Sequence, residues 1–216
     1  MRHFPHAVLL LAPLLAAPAC NIVGPALYVA HGPGKVKALF ELPKERTAVV
    51  FVDDRQSYLP RRTLRQVIAD QATKDFLGAK VVTKMVEPRG VLAASTADQP
   101  GFPTDIITLG KSVGADLVVY VTVDGFSLSP DRQSYNPSAR VRVKVVDGVN
   151  EKGRVWPDDL RGYPLDVTMG ERAGAMPDSP ATIIAAEDRL GAEIGRCVAE
   201  LFYSHEPNVG KVDRSK

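Results

Sequence analysis

Two adjacent carboxylates follow an apolar run in the stretch TAVVFVDDR, residues 47–55. Paired acids at the end of a sheet strand are typical of a site that holds Mg²⁺, as in a phosphoryl-transfer receiver. A receiver also needs a phosphoacceptor Asp after a later strand and a Lys that neutralises the phosphoryl group. Asp98 lies in a predicted loop, and no Lys-Pro follows a later strand. We therefore interpret Asp53 and Asp54 as the point where a buried strand reaches water and the turn begins; a lone metal site is the alternative.

Other chemistry is weakly represented in the sequence. The motifs of zinc proteases, nucleophile elbows and dinucleotide loops are absent from the printed sequence. The 27 basic and 25 acidic residues give no general attraction to nucleic acid. Two cysteines indicate no disulfide framework. We predict a protein that is not an enzyme, with no catalytic residue, no metal ligand and no cofactor.

One basic surface is the best candidate for binding. Residues 139–145 alternate, so that Arg140, Arg142 and Lys144 share one face of a predicted strand and the apolar residues share the other. These three cations form a possible anion-binding or interaction face. A solvated outer strand face is the simpler interpretation.

The amino terminus has the order of a secretory signal: Arg2, an apolar run from Ala7 to Leu15, and then small residues. The apolar run is too short for a membrane-spanning helix. Ala17-Pro18-Ala19 precedes Cys20, which resembles a bacterial lipoprotein signal, although ordinary signal-peptidase cleavage also fits. We predict a signal peptide at 1–19 and lipidation of Cys20, with simple secretion as the alternative.

The rest of the chain divides into a tether at 20–43, a folded domain at 44–206 and a polar tail at 207–216. Apolar and β-branched runs predict strands at 47–52, 80–86, 116–123, 139–145, 154–156 and 163–169. Helical spacing predicts helices near 60–78, with Pro60 in the first turn, 87–94 and 104–114, and a long one after the N-cap Ser179 and Pro180. In that last helix an apolar stripe runs from Ile183 to Phe202 and includes Cys197 as a buried packing residue. Charged residues lie largely off the stripe, and Arg196 and Glu200 form a pair one turn apart; the others are Glu187 and Glu193.

This order of elements predicts an α/β (α+β) fold in a single domain. The early strands, separated by helices, suggest parallel crossovers, and the later strands suggest an antiparallel meander. The result is a mixed, mostly antiparallel sheet with helices packed on it and a long carboxy-terminal helix.

Two segments carry a family resemblance. GADLVVYVTVDGF at 114–126 resembles the central strand of envelope lipoproteins related to CsgG, LpoB and the TolB amino-terminal domain. VRVKVVDGVNEKGRVW at 141–156 is similar to their following hairpin, although its turn is longer than usual, and TAVVFVDD matches their first strand in type only. The resemblance covers roughly Pro43 to Glu206. It implies a periplasmic lipoprotein that assembles with other envelope proteins, and it carries over no catalytic residue.

We therefore expect a non-enzymatic accessory or assembly subunit of an envelope complex, with self-association as one form of that role. The expected location is the bacterial cell envelope, anchored by the amino-terminal lipid and facing the periplasm, with the outer membrane favoured. The alternative is a periplasmic ligand-binding or hydrolytic protein whose site is assembled from scattered polar residues.

Overall fold

The computed structural model describes residues 34–96, 104–131, 133–149, 153–169 and 176–207. The chain divides into two compact units, residues 1–35 and 36–216. Cys20 and the predicted signal peptide lie outside the described residues, as does most of the predicted tail. The elements that follow all belong to the second unit.

Six strands within the described residues form one sheet. They are β1 (Thr47–Asp53), β2 (Lys84–Met85), β3 (Leu117–Ser127), β4 (Ser138–Asp147), β5 (Gly153–Trp156) and β6 (Tyr163–Thr168). The strand order is β2-β1-β3-β4, and β5 and β6 both pair with β4 on its far side. β1 runs parallel to β2 and β3, whereas β4 runs antiparallel to its three partners. The predicted fold class, a mixed and mostly antiparallel sheet, is confirmed.

Four helices of the described ranges accompany the sheet: α1 (Leu64–Gly78), α2 (Pro88–Thr96), α3 (Ile106–Ser112) and α4 (Pro180–Glu200). The start of α4 is as predicted, because the Ser179 side chain accepts a hydrogen bond from the Thr182 N–H in a capping box. The start of α3 differs from the prediction of Thr104. Asp105 is the N-cap, and its carboxylate accepts hydrogen bonds from Ile107 N at 3.0 Å and Thr108 N at 3.2 Å. One carboxylate oxygen satisfies two backbone donors there.

The apolar core has two parts, one on each face of the sheet. The larger part lies between the sheet and the helices α1 and α4. The smaller part lies under α2 and α3, against residues of β1 and β3 such as Val49, Phe51 and Val118. The central strand β3 is buried from Leu117 to Val121 on both faces, as its unbroken apolar run predicts.

The helices α1 and α4 approach each other closely because α4 carries glycines where they meet. A Cβ added at Gly191 would lie 3.3 Å from the side chains of Leu64 and Val67. A Cβ added at Gly195 would collide with the backbone carbonyl oxygen of Ile68. The backbones therefore pack without an intervening side chain at this point.

Two expectations about α4 are wrong in detail. Ile183 was expected in the buried stripe but is 37% exposed, because it stands in the first turn of the helix. Glu187 and Glu200 were expected off the stripe but are buried. Each is compensated by an arginine: Arg61 pairs with Glu187 at 2.6 Å, and Arg196 pairs with Glu200. The predicted burial of Cys197 and the Arg196–Glu200 pair are confirmed.

The chain enters the second unit beside the end of α4. Val36 and His205 form an antiparallel bridge, with N···O distances of 2.8 and 3.1 Å. Leu39 N donates to the Leu201 carbonyl at 2.8 Å, and Leu42 is buried in the larger core. Within the predicted tether, the residues from Val36 onward thus belong to the folded unit.

Candidate functional site

The second face of the sheet is only half covered by helices. α2 and α3 pack over β1 and β3, and on β4 they reach its final residues, near Val146 and Gly148. The remaining outward positions of β4 and β6 are exposed or half-exposed. We call this set the open face: Arg140, Arg142 and Lys144 on β4, with Pro164, Asp166 and Thr168 on β6. It contains the three cations that the sequence predicts to share a face.

Two of those cations are already neutralised by carboxylates. Arg140 pairs with Asp166 at 2.7 Å, across the β4–β6 ladder, and both side chains are exposed. The hydrogen bond to Asp166 raises the pKa of Arg140, so its charge is held by this partner. Arg142 pairs with Asp124 on β3, and both side chains are half-buried. The predicted anion-binding face is therefore not a row of three free cations, because Arg140 and Arg142 already have carboxylate partners.

Lys144 differs from its two neighbours on β4. Across the described residues it has no hydrogen bond or ion pair, although Asp159 lies close enough to interact through its charge. Burial of the ammonium lowers the pKa of Lys144, and the charges of Arg154 and Arg142 lower it further, whereas Asp159 opposes this. Gly162 backs the side chain, since a Cβ there would lie 3.0 Å from Cγ of Lys144. Glycine permits this close approach because it has no Cβ, and it also adopts the φ of 95° found there without strain.

The carboxylate of Asp53 does not reach water, which corrects the interpretation of the strand end. Asp53 is 5% exposed, and it accepts a 2.5 Å hydrogen bond from the Tyr120 hydroxyl. Arg55, at 2.7 Å, completes the neutralisation. Burial raises the pKa of Tyr120 well above its ordinary value, and the bond to Asp53 raises it further, so the phenol stays a donor.

Asp54 begins the turn, as the sequence predicts. Its carboxylate accepts hydrogen bonds from Tyr58 N at 2.8 Å and Leu59 N at 3.0 Å. Arg65 closes the same region by donating to the Val52 carbonyl at 2.7 Å. Ligands of open α/β sheets bind at this carboxyl edge of parallel strands. Here the Asp53 carboxylate is bound to the side chains of Tyr120 and Arg55, and that of Asp54 is bound to backbone N–H groups. The described residues contain no cluster of three or more potential metal ligands.

Sequence reasoning missed the partners of the open face: Asp124, Asp166 and Arg154. A signal for Asp166 is present, because Leu165 and Val167 alternate with it along β6 and are buried. The pairing of β6 with β4, and hence of Asp166 with Arg140, was not readable from the strand patterns alone. Arg154 stands opposite Val146 beyond a register shift in the β4–β5 ladder, which no local pattern indicates.

No known protein-family model and no curated protein matches this chain. Solved structures that the chain is similar to include a PelC dodecamer from Paraburkholderia phytofirmans, at 12% identity, covering 79% of this chain and 96% of that one, with a TM-score of 0.46. The hypothetical protein CT253 from Chlamydia trachomatis is 19% identical over 74% of this chain and 98% of its own, with a TM-score of 0.39. Lipoprotein GNA1162 from Neisseria meningitidis is 15% identical over 68% and 96%, with a TM-score of 0.39. At these scores the likenesses carry no argument about function, and the resemblance to the CsgG, LpoB and TolB group stays a prediction.

Proposed function

We propose that this protein is a non-enzymatic cell-envelope lipoprotein that acts as an accessory or assembly subunit through contacts with other envelope proteins or with copies of itself. The single observation that carries the proposal is the open face, where β4 and β6 present exposed and half-exposed side chains that α2 and α3 leave uncovered. An exposed sheet face of paired and unpaired charges suits a protein surface better than a small substrate, which binds in a concave site.

The carboxyl edge of the parallel strands supports the same proposal. It is the place where an enzyme of this architecture would carry its site. Asp53 is instead engaged by Tyr120 and Arg55, and Asp54 is engaged by the backbone of the following turn. These contacts assign both carboxylates a role in holding the fold.

The proposed location depends on the amino terminus. Ala17-Pro18-Ala19-Cys20 has the small-residue order of a lipoprotein cleavage site. Across the described residues, no helix combines the length and the apolar character needed to cross a membrane. The lipid on Cys20 is the proposed anchor, with the folded unit in the periplasm and the outer membrane as the favoured site.

Site-specific photocrosslinking in intact bacteria tests the proposal. A photoreactive phenylalanine derivative replaces Pro164 on the open face, and a control replaces Lys74, which is exposed on α1. We expect a discrete adduct with one envelope protein, or with a second copy of this chain, from position 164 and not from position 74. Equal adducts from both positions, or none from either, contradict the proposal.

A further inference from the structure

Lys144 has no ion-pair partner among the described residues, and other cations lie near it. Three cations, Arg142, Arg154 and Lys144, interact through their charges, and among the described residues Asp159 is the carboxylate whose charge acts on Lys144. Asp124 pairs with Arg142. Asp159 accepts from the Arg161 backbone N–H at 2.7 Å. The described part of the chain thus leaves an excess of positive charge around the Lys144 ammonium.

Arg154 contributes to this excess from the neighbouring strand. It stands opposite Val146 in the β4–β5 ladder, two residues along β4 from Lys144 and therefore on the same face. Its guanidinium donates to the Asp158 carbonyl at 3.0 Å, which orients the group without neutralising it. No carboxylate of the described residues forms an ion pair with Arg154.

An exposed apolar side chain stands in the segment that carries Asp159 and Gly162. Leu160 is 76% exposed, more than any other large apolar residue in the described ranges. It stands in the connection between β5 and β6, between Asp159, whose charge acts on Lys144, and Gly162, whose backbone backs the same lysine. A partner that covered this side chain would remove its apolar surface from water.

We propose that Lys144, Arg154 and Leu160 form the contact point for an acidic protein segment, in which a carboxylate side chain pairs with the two cations and a neighbouring apolar side chain covers Leu160. Charge complementarity selects the acidic partner, since an incoming carboxylate relieves the repulsion among the cations. The exposed leucine selects a protein segment over a free anion, because interfaces pair a desolvated apolar anchor with a polar rim. This inference rests on the proposed function and names the chemistry of its partner.

The proposed contact point includes Lys144 and Arg154 but excludes Arg140 and Arg142, although they share one face of the sheet. Arg140 and Arg142 already hold Asp166 and Asp124, so an incoming carboxylate would have to displace an existing partner. Lys144 and Arg154 need no such exchange. The contact point therefore lies toward the β5 side of the open face and away from Arg140.

Fluorescence anisotropy of a labelled peptide tests the proposal on the full chain. The probe is a dodecapeptide of three Glu-Leu-Ser-Gly repeats, and its matched control has Gln in place of each Glu. We expect the Glu peptide to bind and the Gln peptide to bind at least about tenfold more weakly, because it lacks the carboxylates. Equal binding of the two peptides, or no binding of either, overturns the proposal.

Variants of the protein locate the contact. Lys144→Gln, Arg154→Gln and Leu160→Ser should each weaken the Glu peptide several-fold, while Arg140→Gln and Lys74→Gln should leave its affinity unchanged. Circular dichroism melting confirms that each variant is folded. If Arg140→Gln weakens binding as much as Lys144→Gln, the peptide is attracted by the overall charge of the face, and the proposed contact point is wrong.

Inorganic phosphate distinguishes a small-anion site. We expect phosphate to compete with the peptide only at millimolar concentration, in the range of a single weak charge pair. If phosphate displaces the peptide at micromolar concentration and Leu160→Ser has no effect, the site is one for a free anion and the inference is wrong. The two proposals can fail separately. If residue 164 gives a discrete photoadduct but the Lys144 variant binds the peptide normally, this inference is wrong and the proposed function stands.

Discussion

The Tyr120 hydroxyl on β3 donates a 2.5 Å hydrogen bond to the buried Asp53 carboxylate on β1. The two residues are 67 positions apart in the chain, and their strands are parallel neighbours in the sheet. The two adjacent acids therefore have structural roles. Asp53 joins two strands inside the protein, and Asp54 organises a turn.

Removal of the Tyr120 hydroxyl should destabilise the fold. Tyr120→Phe leaves the buried Asp53 carboxylate with one polar partner fewer, and we expect the free energy of unfolding to fall by about 1–3 kcal/mol. Urea unfolding followed by circular dichroism measures this change. Tyr58→Phe is the control, since Tyr58 is 42% exposed. A double-mutant cycle with Asp53→Asn should give a clear coupling energy; a coupling of zero would show that the contact does not stabilise the protein.

Asp53 and Asp54 should not hold a divalent cation tightly. Their carboxylates are occupied by Tyr120, Arg55 and two backbone N–H groups, so a cation would have to replace these partners. Titration calorimetry with Mg²⁺, Ca²⁺ and Mn²⁺ should detect nothing tighter than about 1 mM, the weak end of protein calcium sites. A micromolar site that disappears in Asp53→Ala would restore the metal hypothesis.

Gly195→Ala should weaken the packing of α4 on α1. The new methyl group would meet the Ile68 carbonyl and the Ala72 backbone N, neither of which can rotate away. We expect a loss of about 1–3 kcal/mol in the free energy of unfolding. Gly78→Ala is the matched control, because a Cβ there meets nothing within 4 Å. Equal stability of the two variants would mean that the helices separate at no cost.

The apolar stripe of α4 should differ in energetic weight between its two ends. Leu201 is 1% exposed, so Leu201→Ala should cost about 2–5 kcal/mol in a urea unfolding experiment. Ile183 is 37% exposed, so Ile183→Ala should change the same quantity by less than about 0.5 kcal/mol. If Leu201→Ala leaves the urea midpoint unchanged, the end of α4 does not belong to the core.

Cys20→Ser should release the protein from membranes. The lipid attached to Cys20 supplies the proposed apolar anchor, and serine cannot form the thioether. Fractionation after a salt wash, together with mass spectrometry of the amino-terminal peptide, measures this outcome. Cys197→Ala is the control, because Cys197 is buried in α4 and should have no part in anchoring. Membrane retention of Cys20→Ser, or an unmodified Cys20, contradicts lipidation.

The sequence predicts those elements whose burial follows from local patterns. The unbroken apolar run of β3, the alternation of β4 and the Ser179–Pro180 start of α4 each indicate their place correctly. The second strand is shorter than predicted, with Lys84–Met85 alone in the ladder. Only two residues of that segment pair with β1, and an apolar composition does not indicate where pairing stops.

The candidate site was predictable only in part, because its charged partners are brought together by pairing between strands. The shared face of Arg140, Arg142 and Lys144 follows from the period of a strand. Which of them is neutralised depends on Asp124 and Asp166, whose strands are brought beside β4 by long-range pairing. The burial of Asp53 depends likewise on Tyr120, which arrives from a distant strand. Charge balance is thus a property of the assembled sheet and not of any one segment.

The bridge between Val36 and His205 has a further consequence. Val36, the first residue of the second unit, and His205, near its last described residue, lie side by side and are joined by two backbone hydrogen bonds. A unit with adjacent ends can be inserted into a loop of another protein, or its ends can be linked and new ends opened elsewhere, without separating its strands. The folded unit therefore has the geometry of a domain that tolerates insertion or circular permutation, since a short linker would join Val36 to His205.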